Sequence, residues 1–548
     1  MTSSLPGQRA GSPAGPRDLE RAVAECRNRT ARHLEGRVDA HGVFQDGCAS
    51  RIVESVLFLG LLRKQTSEEW FRHEREQEQE QVIGYLRRAC SGTGWQPMLA
   101  RAALGMAVES DRALAAAFLE SFTHFTGVRK RALLQTVFAL CALAPYDPRI
   151  AALDAPRPGH AATWTRLVLL AMRTLHACAT GGAARVPPAE HAELRRRLVS
   201  GTRKVWEGNL LVHLLALHAL HALDPGAPEV RAGIRAVASC QNPDGGLPFT
   251  DSHDLFLTAK AGLALIRAGR SHALVARMAG RVAAGQNPDG GWPYASQVQQ
   301  CDADSTAVCL EFLRATGSGR YATHIAAGQA HLRSLAGVDG GFPTYRPGNP
   351  SEAEMTAGAL IALSPGPTAS DPLPVVRPAA DWLLDQQSAD GTWPRSWTIS
   401  ESSVIERAVH ALTRLPAALA AALPARRVEQ ALRHAARRLT DTQNSDGGWG
   451  QVPGTASGTV STARALMGLA RLDHLPGARR AADRGVAWLA AARLADGSYP
   501  GPPDQVGPRP VPYEFPALAG IYALTALATW RAPARCGPSS DELRTLHE

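Results

Sequence analysis

The sequence predicts an all-α protein of two α/α barrels, and three observations lead there. Asp-Gly turns recur through the second half at Asp244 (Gln-Asn-Pro-Asp-Gly-Gly-Leu), Asp289 (Gln-Asn-Pro-Asp-Gly-Gly-Trp), Asp339 (Asp-Gly-Gly-Phe), Asp390 (Gln-Ser-Ala-Asp-Gly-Thr-Trp), Asp446 (Gln-Asn-Ser-Asp-Gly-Gly-Trp) and Asp496 (Asp-Gly-Ser-Tyr), at intervals of 45, 50, 51, 56 and 50 residues. A period near 50 that holds two helical stretches means stacked helix pairs, and six such pairs can close into a barrel. Each unit also carries its own punctuation. A helix ends near the Gln, Asn-Pro or its equivalent stops it, Gly supplies left-handed backbone, and the aromatic folds back onto the preceding helix. Finally, 548 residues are enough for two or three domains, and two large helical ones fit best.

Composition removes several classes of function. Hydrophobic content of 45% and charged content of 20% describe an ordinary globular protein. The longest nearly uninterrupted apolar stretch, Phe515 to Trp530, falls short of the roughly 20 residues of a spanning helix, so no integral membrane segment is expected and this stretch reads as a core helix. Residues 1–19 begin with a Ser-, Gly- and Pro-rich segment without the apolar stretch of a secretory signal, and are expected to form a disordered leader. Nine cysteines without Cys-x-x-Cys spacing argue against a disulfide framework and point to the cytoplasm. The net charge of +9 would suit nucleic acid, an anionic surface or an anionic small substrate. Its arginines are spread through amphipathic stretches rather than concentrated beside aromatics, so no nucleic acid partner is expected.

The chemistry concentrates at Cys301-Asp302-Ala-Asp304-Ser305-Thr306, which opens an apolar run and follows the Asp289 turn. Two carboxylates spaced i, i+2 at the mouth of a helix can hold one proton between polar neighbours, with Asp304 placed to deliver it. This order resembles the Asp-x-Asp-Asp-Thr signature of the class II terpene cyclases, with Ser305 in the fourth position. The turns resemble the QW repeats of the same family, although protein prenyltransferases share the barrel. The resemblance implies a βγ arrangement: a γ-like α/α domain over residues 20–225 and a β-like barrel over 226–548 that carries the protonating acid, with room for the N-terminal helix to pack back against that barrel. It also implies an activity in which Asp304 protonates an alkene of a linear polyene, with Asp302 and Ser305 orienting it and Thr306 closing the turn. Burial outweighs the pull of a helix N-terminus, so Asp304 is expected to keep its proton at neutral pH.

Superposing the helix that follows each turn gives further candidates. The position four residues beyond Asp304 has Lys260, Arg407 and Arg464 among its equivalents, on the same helical face one turn deeper. These three are diphosphate anchors if that face lines the cavity; otherwise each pairs with a carboxylate on a neighbouring helix. Glu352 and Glu354 form an internal rival to the Asp302/Asp304 pair. A carbocation needs π faces, and Phe249, Phe256, Tyr294, Trp397, Tyr513 and Phe515 are candidates, whereas Trp292 reads as a structural turn residue. Trp397 leads because Arg-Ser-Trp-Thr-Ile-Ser at 395–400 resembles a cavity-lining stretch of bacterial diphosphate cyclases.

No Asp-Asp-x-x-Asp pair occurs, so the magnesium site of ionising synthases is missing and the diphosphate is retained. The resemblance leans to farnesyl diphosphate and a drimenyl-type product, with geranylgeranyl diphosphate to a copalyl-type product, or squalene-type cyclisation, as alternatives. It implies magnesium as an aid to diphosphate binding, with ligands unknown from the sequence. A zinc-dependent prenyltransferase would need Asp, Cys and His together; no His accompanies Cys301 and Cys309 in the sequence, so no zinc is expected. A non-catalytic barrel would leave Asp304 without a task.

Overall fold

A computed structural model describes residues 16–64, 75–120, 127–153, 162–199, 204–317, 319–364, 374–416, 419, 423 and 425–531. Helices dominate, and the described strands are two-residue pairs: Ser50–Arg51 lies antiparallel to Leu247–Pro248, and Gln505–Val506 to Pro512–Tyr513.

The second barrel is a closed ring. Its inner helices are Asp254–Arg267, Ala303–Ala315, Ala353–Leu363, Glu401–Thr413, Thr459–Leu469 and Ala517–Thr529; each packs on the next, and the last packs on the first. They are apolar almost all round because they are enclosed on every side, as the 515–530 stretch led one to expect. Outside them lie the amphipathic helices His272–Ala284, Ala322–Ser334, Val376–Asp385, Ala425–Asp441 and Ala478–Ala492. The sixth outer position is taken by Pro16–Glu35, which packs on Ala517–Thr529 and Ala478–Ala492.

The domain boundaries therefore differ from the expected ones. Val23 to Cys48, assigned to the first barrel within 20–225, belong to the core of the second, together with Leu255 to Leu527. The first core runs from Ile52 to Leu247, so the helix Pro228–Ala238 lies inside it rather than beyond a break at 225/226. The physical reason is ring closure: a six-pair barrel with five outer helices would expose an apolar flank, and the first helix covers it. Most of the expected leader, residues 1–15, lies outside the described residues, and Pro16 to Leu19 open the helix.

The repeated turns clamp successive pairs. Gln286 Nε2 donates to the Gly290 carbonyl at 2.7 Å and to the His324 carbonyl of the next outer helix at 2.9 Å, and Gln443 does the same with Gly447 and Ala481. Trp292, fully buried, donates from Nε1 to the Val282 carbonyl at 2.7 Å, and Trp393 and Trp449 repeat that bond with Leu383 and Leu439. Gly290 is needed twice over. Its φ is +84°, and a Cβ there would come within 2.6 Å of the Ala327 carbonyl oxygen.

Candidate active site

Asp302 ends extended backbone and caps the helix Ala303–Ala315, accepting from the Ser305 amide at 2.7 Å. Ser305 also hydrogen-bonds the Asp302 carboxyl through its hydroxyl. Thr306 Oγ1 accepts from the Trp292 amide at 3.0 Å, which ties the helix to the preceding turn. The expected orienting contacts of Ser305 and Thr306 are thus made to Asp302 and Trp292, while Asp304 is held from across the barrel. Arg407 Nη1 donates to Asp304 Oδ1 at 2.6 Å.

The proton is not where the sequence argument put it. Asp304 lies deep, but Arg407, Lys260 and Arg464 together outweigh its burial and lower its pKa. Asp302, buried with no cation among its main neighbours, is pushed up to about 7 by burial and by the charge of Asp304. The pair is therefore split: Asp302 keeps a proton close to neutral pH and Asp304 is ionised.

Arg407, Lys260 and Arg464 do gather beside Asp304, but not as anchors free for diphosphate. Arg407 is taken by Asp304, and Arg464 pairs with Glu406 at 2.6 Å and stacks 4.0 Å over the Tyr522 ring. Lys260, buried among these cations, has its pKa pushed down to about 7. All three line a pocket of about 40 Å³ on the inner side of the ring, and none lines the larger cavity described next. Two pair with carboxylates because a buried cation needs a counter-charge.

A second cavity, about 250 Å³, lies where the two barrels meet. Phe249, Tyr294, Trp397 and Tyr513 line it, as do Trp164, Tyr345 and His253, which the sequence analysis missed. Asp302 and Asp304 are not among the residues that line it, but the charge of Asp304 acts on Tyr513 and that of Asp302 on Tyr294 and Tyr345 in its wall. Trp397 is fixed by its Nε1 bond to Thr344 Oγ1 at 2.9 Å and meets Tyr345 edge-on, with centroids 6.0 Å apart. Phe256 and Phe515 do not line this cavity. Both pack behind His253, Phe515 at 4.5 Å between centroids, as buried support. The rival carboxylates have other partners: Glu354 accepts from the Trp397 amide at 3.0 Å and the Thr398 hydroxyl at 2.6 Å, and Glu352 accepts from the Thr344 amide at 3.2 Å and also from its hydroxyl.

The same cavity is lined by Arg129, Lys130 and Arg509. Burial and the neighbouring Arg509 push the Lys130 pKa down to about 8, with Glu352 the one carboxylate opposing them. Three crowded cations against one carboxylate make a site for an anion. Arg129 and Lys130 stand in the first turn of the helix Gly127–Leu140, whose unpaired amides add positive potential. The signal was present in the sequence as Arg129-Lys130-Arg131, but it lies in the first domain, far from the recognised motif. Of the residues that line this cavity Glu352 is the one carboxylate, and it is already bonded to Thr344, so the lining offers magnesium no cluster of protein carboxylates.

An acid pair beside an aromatic-walled cavity with a cationic end defines a protonating cyclase of the α/α-barrel class. The comparisons agree. The family model of the squalene-hopene cyclase C-terminal domain matches residues 348–531, and that of the prenyltransferase alpha-alpha toroid domain matches residues 198–395. The chain is 37% identical over 524 residues to a drimenyl diphosphate synthase from Streptomyces showdoensis, covering 92% of this chain and 94% of the relative. It is also 37% identical to one from Streptantibioticus cattleyicolor, covering 96% and 98%. The solved ent-copalyl diphosphate synthase from Streptomyces platensis shares the fold at a TM-score of 0.54 and 20% identity, covering 93% of this chain and 99% of that one. The chain belongs to the class II terpene cyclases and is an enzyme of protonation-initiated cyclisation. Among the described residues no helix is long and apolar enough to cross a membrane.

Proposed function

We propose that the enzyme cyclises farnesyl diphosphate to a drimenyl-type bicyclic diphosphate, with the diphosphate retained. The observation that carries this reading is one cavity lined by Arg129, Lys130 and Arg509 at one part of its wall and by tyrosines within electrostatic reach of the Asp302/Asp304 pair at another. A linear chain with an anionic head would lie with its head on the cations and its terminal alkene at Asp304. The cavity, about 250 Å³, lies just below the about 300–1,000 Å³ usual for ligand pockets. That supports the C15 chain over C20 or C30, as does the name shared by the two 37%-identical relatives.

In this mechanism the carboxylate pair carries one proton. Asp302 holds it at rest and hands it to Asp304, which, with its lowered pKa, is the stronger acid and passes it to carbon. The alkene electron pair forms the new C–H bond, leaving a tertiary cation that successive alkenes capture as rings close. Arg407 stabilises the Asp304 carboxylate left behind, in a setting where a fixed charge acts at close range. The rings of Tyr513, Tyr294 and Trp397 face the developing cation, each contributing roughly 0.5–2 kcal/mol, and a proton leaves the final cation. A cytoplasmic setting is part of this reading, supported by the eight described cysteines, all free thiols.

The test is mass spectrometry of dephosphorylated products after parallel feeding of C15, C20 and C30 polyenes, with wild type and Asp304→Asn. A bicyclic C15 alcohol from wild type and none from the variant is expected. A preferred C20 or C30 product overturns the substrate assignment, and turnover by the variant overturns the role of Asp304.

A further inference from the structure

Two of the Asp-Gly turns close with the same full clasp and a third shares half of it, while Asp390 bonds Thr392 and pairs with Arg438, and Asp496 bonds Ser498 and lies beside His33. Asp339 Oδ1 accepts from Ser351 at 2.8 Å and its Oδ2 from Trp382 Nε1 at 3.1 Å. Asp446 does so with Ser457 at 2.8 Å and Trp488 at 3.0 Å, and Asp244 accepts from Ser50 at 2.6 Å. At the turn before the acid motif both partners change. Cys301 stands where the serines stand, its thiol donating to Asp289 Oδ1 at 3.2 Å, and His331 stands where the tryptophans stand, with Nδ1 3.6 Å from Asp289 Oδ2. Cys301 even keeps the Asn contact of the clasp: Asn287 Nδ2 lies 3.3 Å from Sγ, as Asn444 Nδ2 lies 3.0 Å from the Ser457 hydroxyl.

Three potential ligand atoms, a carboxylate oxygen, a thiol sulfur and an imidazole nitrogen, lie within 4.8 Å of one another. A second observation points at a ligand. The His331 side chain is only 9% exposed, yet its Nε2 has no hydrogen-bond partner. The ring is held through Nδ1, 3.3 Å from the Asp289 carbonyl, and its Nε2 lies over Gly291 beside Cys301: a Cβ placed on Gly291 would sit 2.7 Å from both His331 Nε2 and Cys301 Cβ. Asp289, half exposed, keeps the cluster open to solvent. The argument from sequence that no histidine accompanies Cys301 is corrected by the fold, because the outer helix Ala322–Ser334 brings His331 to it.

We propose that Asp289, Cys301 and His331 form a zinc site, a borderline-soft divalent cation taking sulfur, nitrogen and oxygen ligands with water in the fourth position. On binding, the thiol loses its proton to solvent and the S–H bond is replaced by a thiolate–metal bond. Cys301 immediately precedes Asp302, so the ion would pin the backbone that presents the acid pair. It is a positional clamp, separate from the diphosphate end, and does not depend on which polyene is the substrate.

The experiment uses the full chain, dialysed against metal-free buffer, then loaded with Zn2+ or Co2+. Bound zinc is measured by mass spectrometry and Co2+ by its thiolate charge-transfer absorption. Cys301→Ser and His331→Trp restore the residues of the sister turns, so their folds are provided for. About one equivalent of metal with a thiolate–Co2+ band in wild type, and binding at least about tenfold weaker in each variant, is the expected result. No zinc retained above that of Cys301→Ser, or a Co2+ band that survives in that variant, overturns the site. Should a variant unfold, the wild-type Co2+ spectrum alone decides: a band without thiolate character refutes the assignment.

Discussion

Arg407 reaches Asp304 past an entire helix. The two stand on Glu401–Thr413 and Ala303–Ala315, with Ala353–Leu363 between them in the ring, and the guanidinium passes over Gly358, where a Cβ would come within 2.6 Å of Nη2. Gly358 is the equivalent of Arg407 in its own repeat. A glycine inside a helix is otherwise unfavourable by about 0.5–1 kcal/mol relative to alanine, and the passage of Arg407 accounts for it. Gly358→Ala should therefore raise helix propensity yet displace the guanidinium, cutting kcat about tenfold or more. A melting curve beside a rate measurement checks the opposite signs.

Asp302 gives the pH dependence. Its folded pKa of about 7 lies above the unfolded value near 3.8, so the folded state binds the proton more tightly. The stability it contributes is complete below about pH 4 and is lost as pH rises to about 7, at up to about 1.4 kcal/mol per pH unit. Melting temperature should fall across that window in wild type and fall less in Asp302→Asn. Activity, which needs one proton on the pair, should decline through about pH 7 on the alkaline side.

The cationic end should govern binding. Arg129→Ala or Lys130→Ala removes a charged partner of the head group worth roughly 1.5–3 kcal/mol, so KM for the diphosphate should rise about tenfold or more with product identity unchanged. With its pKa held near 8, Lys130 loses charge above that pH, and the wild-type KM should climb there while that of Lys130→Ala stays flatter.

The turn glycine is a matter of stability alone. Gly290→Ala forces a side chain into φ +84° and into the Ala327 carbonyl, which should destabilise by about 1–3 kcal/mol. Chemical denaturation should show the loss, with the reaction rate of the folded fraction unchanged.

The barrel was legible because its signal is local. Gln286, Gly290 and Trp292 each perform their task within one turn and the next helix, so period and residue type sufficed. The acid pair was legible for the same reason, both members standing in one helical turn. What the sequence hid was long-range. Asp304 is held in its ionised form by cations from three other inner helices, and Arg129 and Lys130 reach the cavity from the first barrel. The first helix was counted within residues 20–225, and its packing back on the second barrel was open to the resemblance alone, because its apolar stripe shows that it must be covered and leaves open by what.

Closure of the outer ring by Pro16–Glu35 has a consequence for biogenesis. The earliest described segment to leave the ribosome finds its seat on Ala517–Thr529, close to the last described one. Its apolar stripe has no seat until Ala517–Thr529 has been translated. The catalytic barrel thus completes its ring only once those residues have followed the first helix out, and a chaperone that shields this stripe in the interval would raise the yield of folded enzyme.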